Sequence, residues 1–441
     1  MDFIPNTKQD QEDMLKEINI GNVSELFKDI PDKVLLKDKL KIPSGLSEIE
    51  IKDLLKKISE MSNISFSYFL GAGAYKHFIP SVVNHIVSRS EFYTAYTPYQ
   101  PEISQGMLQA IYEYQTMVCS LTGMEVANAS MYDGASALAE SCIMAVNITK
   151  RNEILMSKAV HPDYRQVVET YCKAHSFSLV EVDFEGGVTA VDVLKEKISD
   201  KTAAFLVQSP NFFGCIEDLN EIEKIVHDNG ALFNVCVVEA TSLGILKSPG
   251  SFNADIFVGE GQSFGNPINF GGPHLGIMAT KQMYVRHLPG RIVGGTVDSE
   301  GERGYILNLQ AREQHIRREK ASSNICSNEA LCALTATVYL SSLGKNGLRK
   351  VSELCLQKAY YLAEGLSKIG VEIKFKADFY NEFVVKVDDA SRVNSELLKK
   401  GIVGGLELSK YYPELSNCLL FCVTELNTRE EIDKLVGVVK G

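Results

Sequence analysis

Between residues 150 and 280 the chain alternates short apolar runs with stretches of helical period, and this alternation restricts the fold more than any other feature. Ile154-Leu155-Met156-Ser157 leads into a helical stretch from Pro162 to Ala174. Leu179-Val180-Glu181-Val182 precedes a helix from Val191 to Ile198, and Ala203 to Val207 precedes one from Leu219 to Asp228. Ala231 to Val238 and Asp255 to Val258 complete the series. Strands separated by helices of about 10–13 residues form βαβ units, because parallel neighbours need a long crossover. Helices then cover both faces of a mostly parallel sheet, and ligands are expected beyond the carboxyl ends of its strands.

The flanking regions read differently. Residues 1–65 predict a helical arm: Gln11 to Asn19, Val23 to Phe27, and Ser47 to Met61, with Ser47 and Glu50 spaced as a capping box. The arm has too little strand for a sheet of its own, so it is expected to pack on a neighbouring domain or subunit. After the α/β region, Ser323 to Leu343, Val351 to Lys368 and Val393 to Lys399 read as helices, and Phe383 to Val387 and Cys418 to Val423 as strands. The expected organisation is therefore a 1–65 arm, a 66–328 large α/β domain and a 329–441 small α+β domain.

With 45 Lys+Arg against 56 Asp+Glu, the formal charge of −11 excludes a non-specific nucleic-acid or anionic-membrane binder. The polar, acidic start MDFIPNTKQDQEDMLK lacks the basic flank and apolar core of a secretory signal, and Ala330 to Gly344 is too short to span a bilayer. The 10 cysteines are scattered, form no CxxC, and include one close pair, Cys418 and Cys422, with no histidine nearby. Reduced, buried thiols in a cytoplasmic protein, and no metal site, are the expectation.

Several segments carry chemistry. The strand Asp255 to Val258 runs into a glycine-rich loop, DIFVGEGQSFGNPINFGGP, where backbone can approach a ligand or another chain closely. Asp133-Gly134-Ala135-Ser136-Ala137 opens the helix ALAESCIMAV. Free N–H groups there suit a phosphate, and an Asp N-cap followed by small packing residues reads equally well. His161 follows the Ile154–Ser157 strand, and Glu239 closes FNVCVVE. In Tyr96-Thr97-Pro98-Tyr99-Gln100-Pro101, two prolines stiffen a loop that offers flat aromatic surface and hydroxyl tips. Arg312 to Lys320 is charge-dense; Arg312, Arg317, Arg318 and Lys320 make either a solvated helix face or a basic patch toward a subunit or carboxylate. FLGAGAY, Phe69 to Tyr75, has no preceding strand and no third glycine, so it is not a nucleotide site.

FYTAYTPYQPEISQGMLQAIYEYQTMVCSLTGMEVANASMYDGASA, LPGRIVGGTVD and REQHIRREKASSNICSNEAL, in this order, resemble the glycine decarboxylase family, the P-protein of the glycine cleavage system. The resemblance covers essentially the whole chain and matches the N-terminal half of the long form, equivalent to subunit 1 of two-subunit versions. It implies a pyridoxal-phosphate-dependent transferase-like fold (aspartate aminotransferase-like, fold type I) with a seven-stranded sheet. In that class a lysine in the glycine-rich loop forms the Schiff base with the cofactor. Gln262 stands at that position, and an amide nitrogen cannot form an imine. Gly134, Ala135, Ser136, His161 and Glu239 then line a degenerate cofactor pocket, with Glu239 at the place of the carboxylate that pairs with the pyridine nitrogen.

The family further implies a partner β subunit (subunit 2) that binds pyridoxal phosphate covalently, an α2β2 tetramer, glycine as substrate and a lipoylated H-protein as acceptor. The Tyr96–Gln100 loop is then the one that approaches the subunit interface. Two other readings stay open. One is an autonomous enzyme using Lys247 or Lys281; the other is a regulatory or scaffolding paralogue without activity.

Overall fold

The computed structural model describes residues 5–62, 65–325 and 329–440, and divides into two compact units, Met1–Ile64 and Ser65–Gly441. In the first unit, helices form at Lys8–Glu17 and Glu48–Glu60, with a 3-10 turn at Val23–Phe27. Both helices start on capping boxes, Thr7 with Asp10 and Ser47 with Glu50, which satisfy amide groups that the first turn leaves unpaired. None of the described residues in these helices is buried, and Leu54, Leu55 and Ile58 present an apolar stripe at the surface.

The second unit is built on a seven-stranded sheet: β1 (Val126–Ala127), β2 (Glu153–Ser157), β3 (Ser178–Val182), β4 (Thr202–Gln208), β5 (Leu232–Val237), β6 (Ile256–Glu260) and β7 (Gly276–Thr280). The spatial order is β1-β7-β6-β5-β4-β2-β3, and β7 alone runs against the rest. Because successive side chains point to opposite faces, each strand feeds two cores. Leu155, Phe205, Phe233, Val235 and Phe257 fill one face; Met156, Leu206, Cys236 and Val258 fill the other. Leu155 lies opposite Phe205, and Phe205 opposite Phe233, so one row of large side chains crosses three strands. Burying each such side chain contributes about 1.5–3 kcal/mol, which explains why these strands read as unbroken apolar runs.

A hairpin of β8 (Ile292–Val297) and β9 (Arg303–Asn308) follows. The C-terminal part carries a four-stranded antiparallel sheet of β10 (Glu372–Ile373), β11 (Glu382–Lys386), β12 (Leu406–Glu407) and β13 (Cys418–Cys422), in the order β10-β11-β13-β12. The helices Ala390–Lys399 and Arg429–Lys440 and the end of the Ala330–Lys368 helix enclose its core.

Two sequence expectations need correction. The helix expected from Ser323 begins at Ala330, and the helix expected from Val351 to Lys368 starts earlier, directly after Gly344, where the backbone leaves helical geometry at φ 59° and a kink divides the two. Residues 326–328 of the expected helix lie outside the described residues. The charge-dense stretch near Arg312 is no continuous helix: turns at Gln310–Arg312, Gln314–Arg317 and Arg318–Lys320 succeed one another, with Arg318 at φ 54°. Glu313, four residues before Arg317 and so spaced to pair with it along a helix, is instead buried and faces Arg291 and His315. Among the described residues the nine cysteines are free thiols, and no helix is long and apolar enough to cross a membrane.

Candidate functional site

The carboxyl ends of β2, β4, β5 and β6 and the start of the Gly134–Thr149 helix carry the six sequence-derived pocket residues: Gly134, Ala135 and Ser136 open the helix, and His161, Glu239 and Gln262 follow β2, β5 and β6. Asp133 caps the helix, its carboxylate accepting from the Ser136 N–H at 2.7 Å. The free N–H of Gly134 points to the end of β6, where it donates to Glu260 Oε2 at 3.0 Å. Glu260 Oε1 accepts from the Gln262 and Leu275 N–H groups at 2.9 and 3.0 Å. Burial pushes the Glu260 carboxyl up to about 7, against the pull of the Gly134 and Leu275 amides.

Gln262 is 2% exposed and its amide is fully engaged. The Tyr75 N–H donates to Oε1 at 2.8 Å, while Nε2 donates to the Tyr75 and Asn266 carbonyls at 3.0 and 2.7 Å. The 71–75 segment is fixed further along: Glu382 accepts from the Ala72 N–H at 2.6 Å and from the Tyr75 hydroxyl at 2.8 Å. Burial raises the Glu382 carboxyl to about 7.

His161 caps the Pro162–His175 helix, Nδ1 accepting from the Asp163 N–H at 3.2 Å, which leaves Nε2 to donate to the Ala72 carbonyl at 2.8 Å. Burial lowers its pKa. Gly73 sits so close that a Cβ would stand 2.7 Å from His161 Nε2, with φ at +103°. Glu239, at the end of β5, accepts from the Thr241 N–H at 2.9 Å and the Ser263 hydroxyl at 3.0 Å, and lies 3.3 Å from His77 Nε2.

These residues do not fit pyridoxal phosphate. The Gly134 N–H that would cradle a phosphate already serves the Glu260 carboxylate, and Gln262 is tied to Tyr75. The adjoining cavity of about 540 Å³ sets Asp133, Asp163, Glu260 and Glu329 against two histidines, His161 and His274, an environment hostile to a phosphate dianion. The two alternative lysines lie elsewhere. Lys281 Nζ is bound to Asp255 Oδ1 at 2.6 Å, just before β6 begins, whereas Gln262 lies beyond its far end, roughly 20 Å away at strand rise. Lys247 lies 5.9 Å from the centre of the Phe252 ring.

The second candidate region is the Tyr96–Gln100 loop. Pro98 is buried, Tyr96 is exposed, and Tyr99 turns its hydroxyl inward to accept from Arg291 Nη2 at 2.7 Å, with the guanidinium 5.1 Å from the ring centre. His315 meets the Tyr99 ring edge-on at 5.8 Å, and Glu313 lies 3.6 Å from Arg291 and 3.5 Å from His315. Thr97 joins Tyr96 and Pro98 in lining a surface cavity of about 430 Å³, and Gln100 precedes the Pro101–Thr122 helix. Arg312 turns inward to donate to the Gly290 carbonyl at 2.6 Å, and burial pushes its pKa down to about 10. Arg317, Arg318 and Lys320 are exposed. Reading the sequence missed Glu260, Tyr75, His77 and Arg291. Glu260 had a detectable signal, since it lies two residues before Gln262 at the end of a strand; the other three are placed only by tertiary structure.

The sheet order, the single reversed strand and the site at the strand ends define the fold of the fold-type-I pyridoxal-phosphate-dependent transferases. The chain resembles a NifS-like protein (TM-score 0.65, 13% identity, 85% of this chain and 98% of that one) and a cysteine desulfurase from Thermococcus onnurineus (TM-score 0.62, 16% identity, 90% and 98%) in fold alone. It belongs to the glycine cleavage system P-protein family, whose model matches residues 1–439. Relatives named probable glycine dehydrogenase (decarboxylating) subunit 1 are 54% identical in Desulfitobacterium hafniense, covering 99% of each chain, and 52% identical in Carboxydothermus hydrogenoformans, covering 100% of each. A crystal structure of glycine decarboxylase (P-protein), in inhibitor-bound form, superposes with a TM-score of 0.91 at 42% identity over 100% of this chain and 99% of that one.

Proposed function

We propose that this chain is the subunit without the Schiff-base lysine in a cytoplasmic, two-subunit glycine dehydrogenase (decarboxylating). Its partner carries pyridoxal phosphate on a lysine. Together they decarboxylate glycine and pass the aminomethyl group to the lipoyl arm of the H-protein, most simply as an α2β2 tetramer. The observation that carries this reading is the state of Gln262: it stands at the end of β6, where the fold class carries its lysine, and its amide is buried and bound to Tyr75 and Asn266.

In this reading the chain contributes surface and positioning. The proline-stiffened loop holds Tyr96 outward and Tyr99 on Arg291, so aromatic surface is presented to the partner at little entropic cost. Arg317, Arg318 and Lys320 form a basic edge beside it, and the apolar stripe of the N-terminal arm offers a further contact.

The test is co-expression with the second subunit, borohydride reduction and peptide mapping. The reduced cofactor is expected on the partner and none on this chain, and glycine–bicarbonate exchange is expected only when both chains are present. An adduct on this chain, or exchange by the chain alone, overturns the proposal. A stable complex without exchange would point to a regulatory paralogue instead.

A further inference from the structure

Three segments far apart in sequence meet beside Glu239: the stretch leading to Pro80, the second half of the Ala330–Lys368 helix, and the turn after β13. They bring His77, Cys355 and Glu425 together, with one donor atom from each lying within 4.8 Å of the others. His77 Nδ1 is 2.7 Å from Glu425 Oε2, and Cys355 Sγ is 3.5 Å from the same oxygen. A tetrahedral zinc ion with bonds of about 2.3 Å to sulfur and about 2.0 Å to oxygen separates those two ligands by about 3.5 Å. The nitrogen–oxygen pair needs to open by about 0.6 Å to reach the corresponding edge, a small rotation of the glutamate side chain.

The surroundings are those of a metal site. Ligating histidines usually turn their other ring nitrogen to a carboxylate, which fixes the ring and strengthens the donor. His77 Nε2 faces Glu239 Oε2 at 3.3 Å, and Glu239 is itself held by Thr241 and Ser263. The second oxygen of Glu425 accepts from the Phe78 N–H at 2.7 Å, which sets the direction of the carboxylate. The side chains of His77 and Glu425 are 2% and 9% exposed, and Cys355 is fully buried. An independent observation is the hydroxyl of Tyr339, which is buried without a hydrogen-bond partner and lies within electrostatic reach of His77, Glu239, Cys355 and Glu425.

We propose that His77 Nδ1, Cys355 Sγ and a Glu425 carboxylate oxygen bind a zinc ion, with water in the fourth position serving also as the partner that the Tyr339 hydroxyl lacks. One sulfur, one imidazole and one carboxylate suit zinc better than the harder magnesium or calcium. The ion is structural: it staples the approach to Pro80 to the long helix and to the small sheet. The site is independent of the reading of Gln262.

The experiment uses the full chain, freed of any affinity tag and passed through gel filtration after incubation with zinc chloride. Elemental analysis is expected to find about one zinc per chain, reduced tenfold or more by Cys355→Ser and unchanged by Cys119→Ser, a half-buried thiol elsewhere. X-ray absorption of the unmodified protein is expected to show one sulfur ligand, which keeps the test decisive if Cys355→Ser is insoluble. Absence of zinc, equal zinc in Cys355→Ser, or a shell of nitrogen and oxygen only overturns the proposal. Each of those results leaves His77 as an imidazolium between two carboxylates, or the ion as adventitious.

Discussion

Removing the Gln262 side chain gives the sharpest reading of how the site is closed. Gln262→Ala deletes one acceptor and two donor contacts, leaving the Tyr75 N–H, the Tyr75 carbonyl and the Asn266 carbonyl without these partners in a position only 2% exposed. At about 0.5–1.5 kcal/mol per hydrogen bond, the loss comes to about 2–4 kcal/mol. For a unit of this size that corresponds to a fall of roughly 3–5 °C in the thermal midpoint, read by calorimetry or circular dichroism. Gln262→Glu is the discriminating variant. It keeps the volume and the acceptor for Tyr75, but sets a carboxylate oxygen against two carbonyls and beside Glu260. It is therefore expected to be less stable than Gln262→Ala at pH 8 and to recover toward pH 5, where the new carboxyl can donate. If Gln262→Ala costs less than about 1 kcal/mol, or Gln262→Glu matches the parent at pH 8, the latch to Tyr75 is not what closes this site.

Other expectations follow from single positions. Burial raises Glu217 from 4.5 to about 7, so across that interval the folded chain retains a proton that the unfolded chain has released, and stability falls as pH rises. Glu217→Gln should flatten this part of the pH–stability curve by about 1–3 kcal/mol in urea titrations, and parallel curves for the two proteins would exclude it. Gly214, at φ +81°, would place a Cβ 1.9 Å from the Glu382 carbonyl oxygen, so Gly214→Ala should cost about 3 kcal/mol or more and lower the soluble yield. A normal midpoint would refute the close approach of these two backbones. Tyr99→Phe removes the hydroxyl that accepts from Arg291, on a residue 44% exposed, so stability should fall by less than about 1 kcal/mol while glycine–bicarbonate exchange in the complex falls several-fold. Unchanged exchange would remove the loop from catalysis.

Five of the seven strands were legible, the inner ones because they are buried on both faces and Ile154–Met156, Ala203–Val207 and Ile256–Val258 show that as unbroken apolar runs; the short Val126–Ala127 strand and the reversed Gly276–Thr280 strand were not read. Asp133 and Ser47 were legible as caps, because a capping bond is made within one turn of the chain. The long helix was only half legible: Gly344 reads as a break in a linear pattern and is one, but the second helix resumes directly after it rather than at Val351. The Arg312–Lys320 stretch misled for the opposite reason, since i, i+4 charge spacing favours a helix that the burial of Glu313 breaks up. For the site, Gln262 and Glu239 were visible at the ends of strands, but the groups that engage them were not. Tyr75 and His77 lie 187 and 162 residues away from those partners, and no local spacing encodes such meetings. The same holds for His77, Cys355 and Glu425, whose separation hides them from any motif based on close pairs.

The broken helix has one more consequence. Its first half contributes Ala336, Tyr339 and Leu340 to the core beneath the large sheet, and its second half contributes Ala359, Leu362 and Leu366 to the core of the small one. Only the kink at Gly344 separates the two halves, and their far ends are set in different foundations. With so short a joint between them, neither foundation loosens without disturbing the other, so the large and small sheets should melt as one cooperative body.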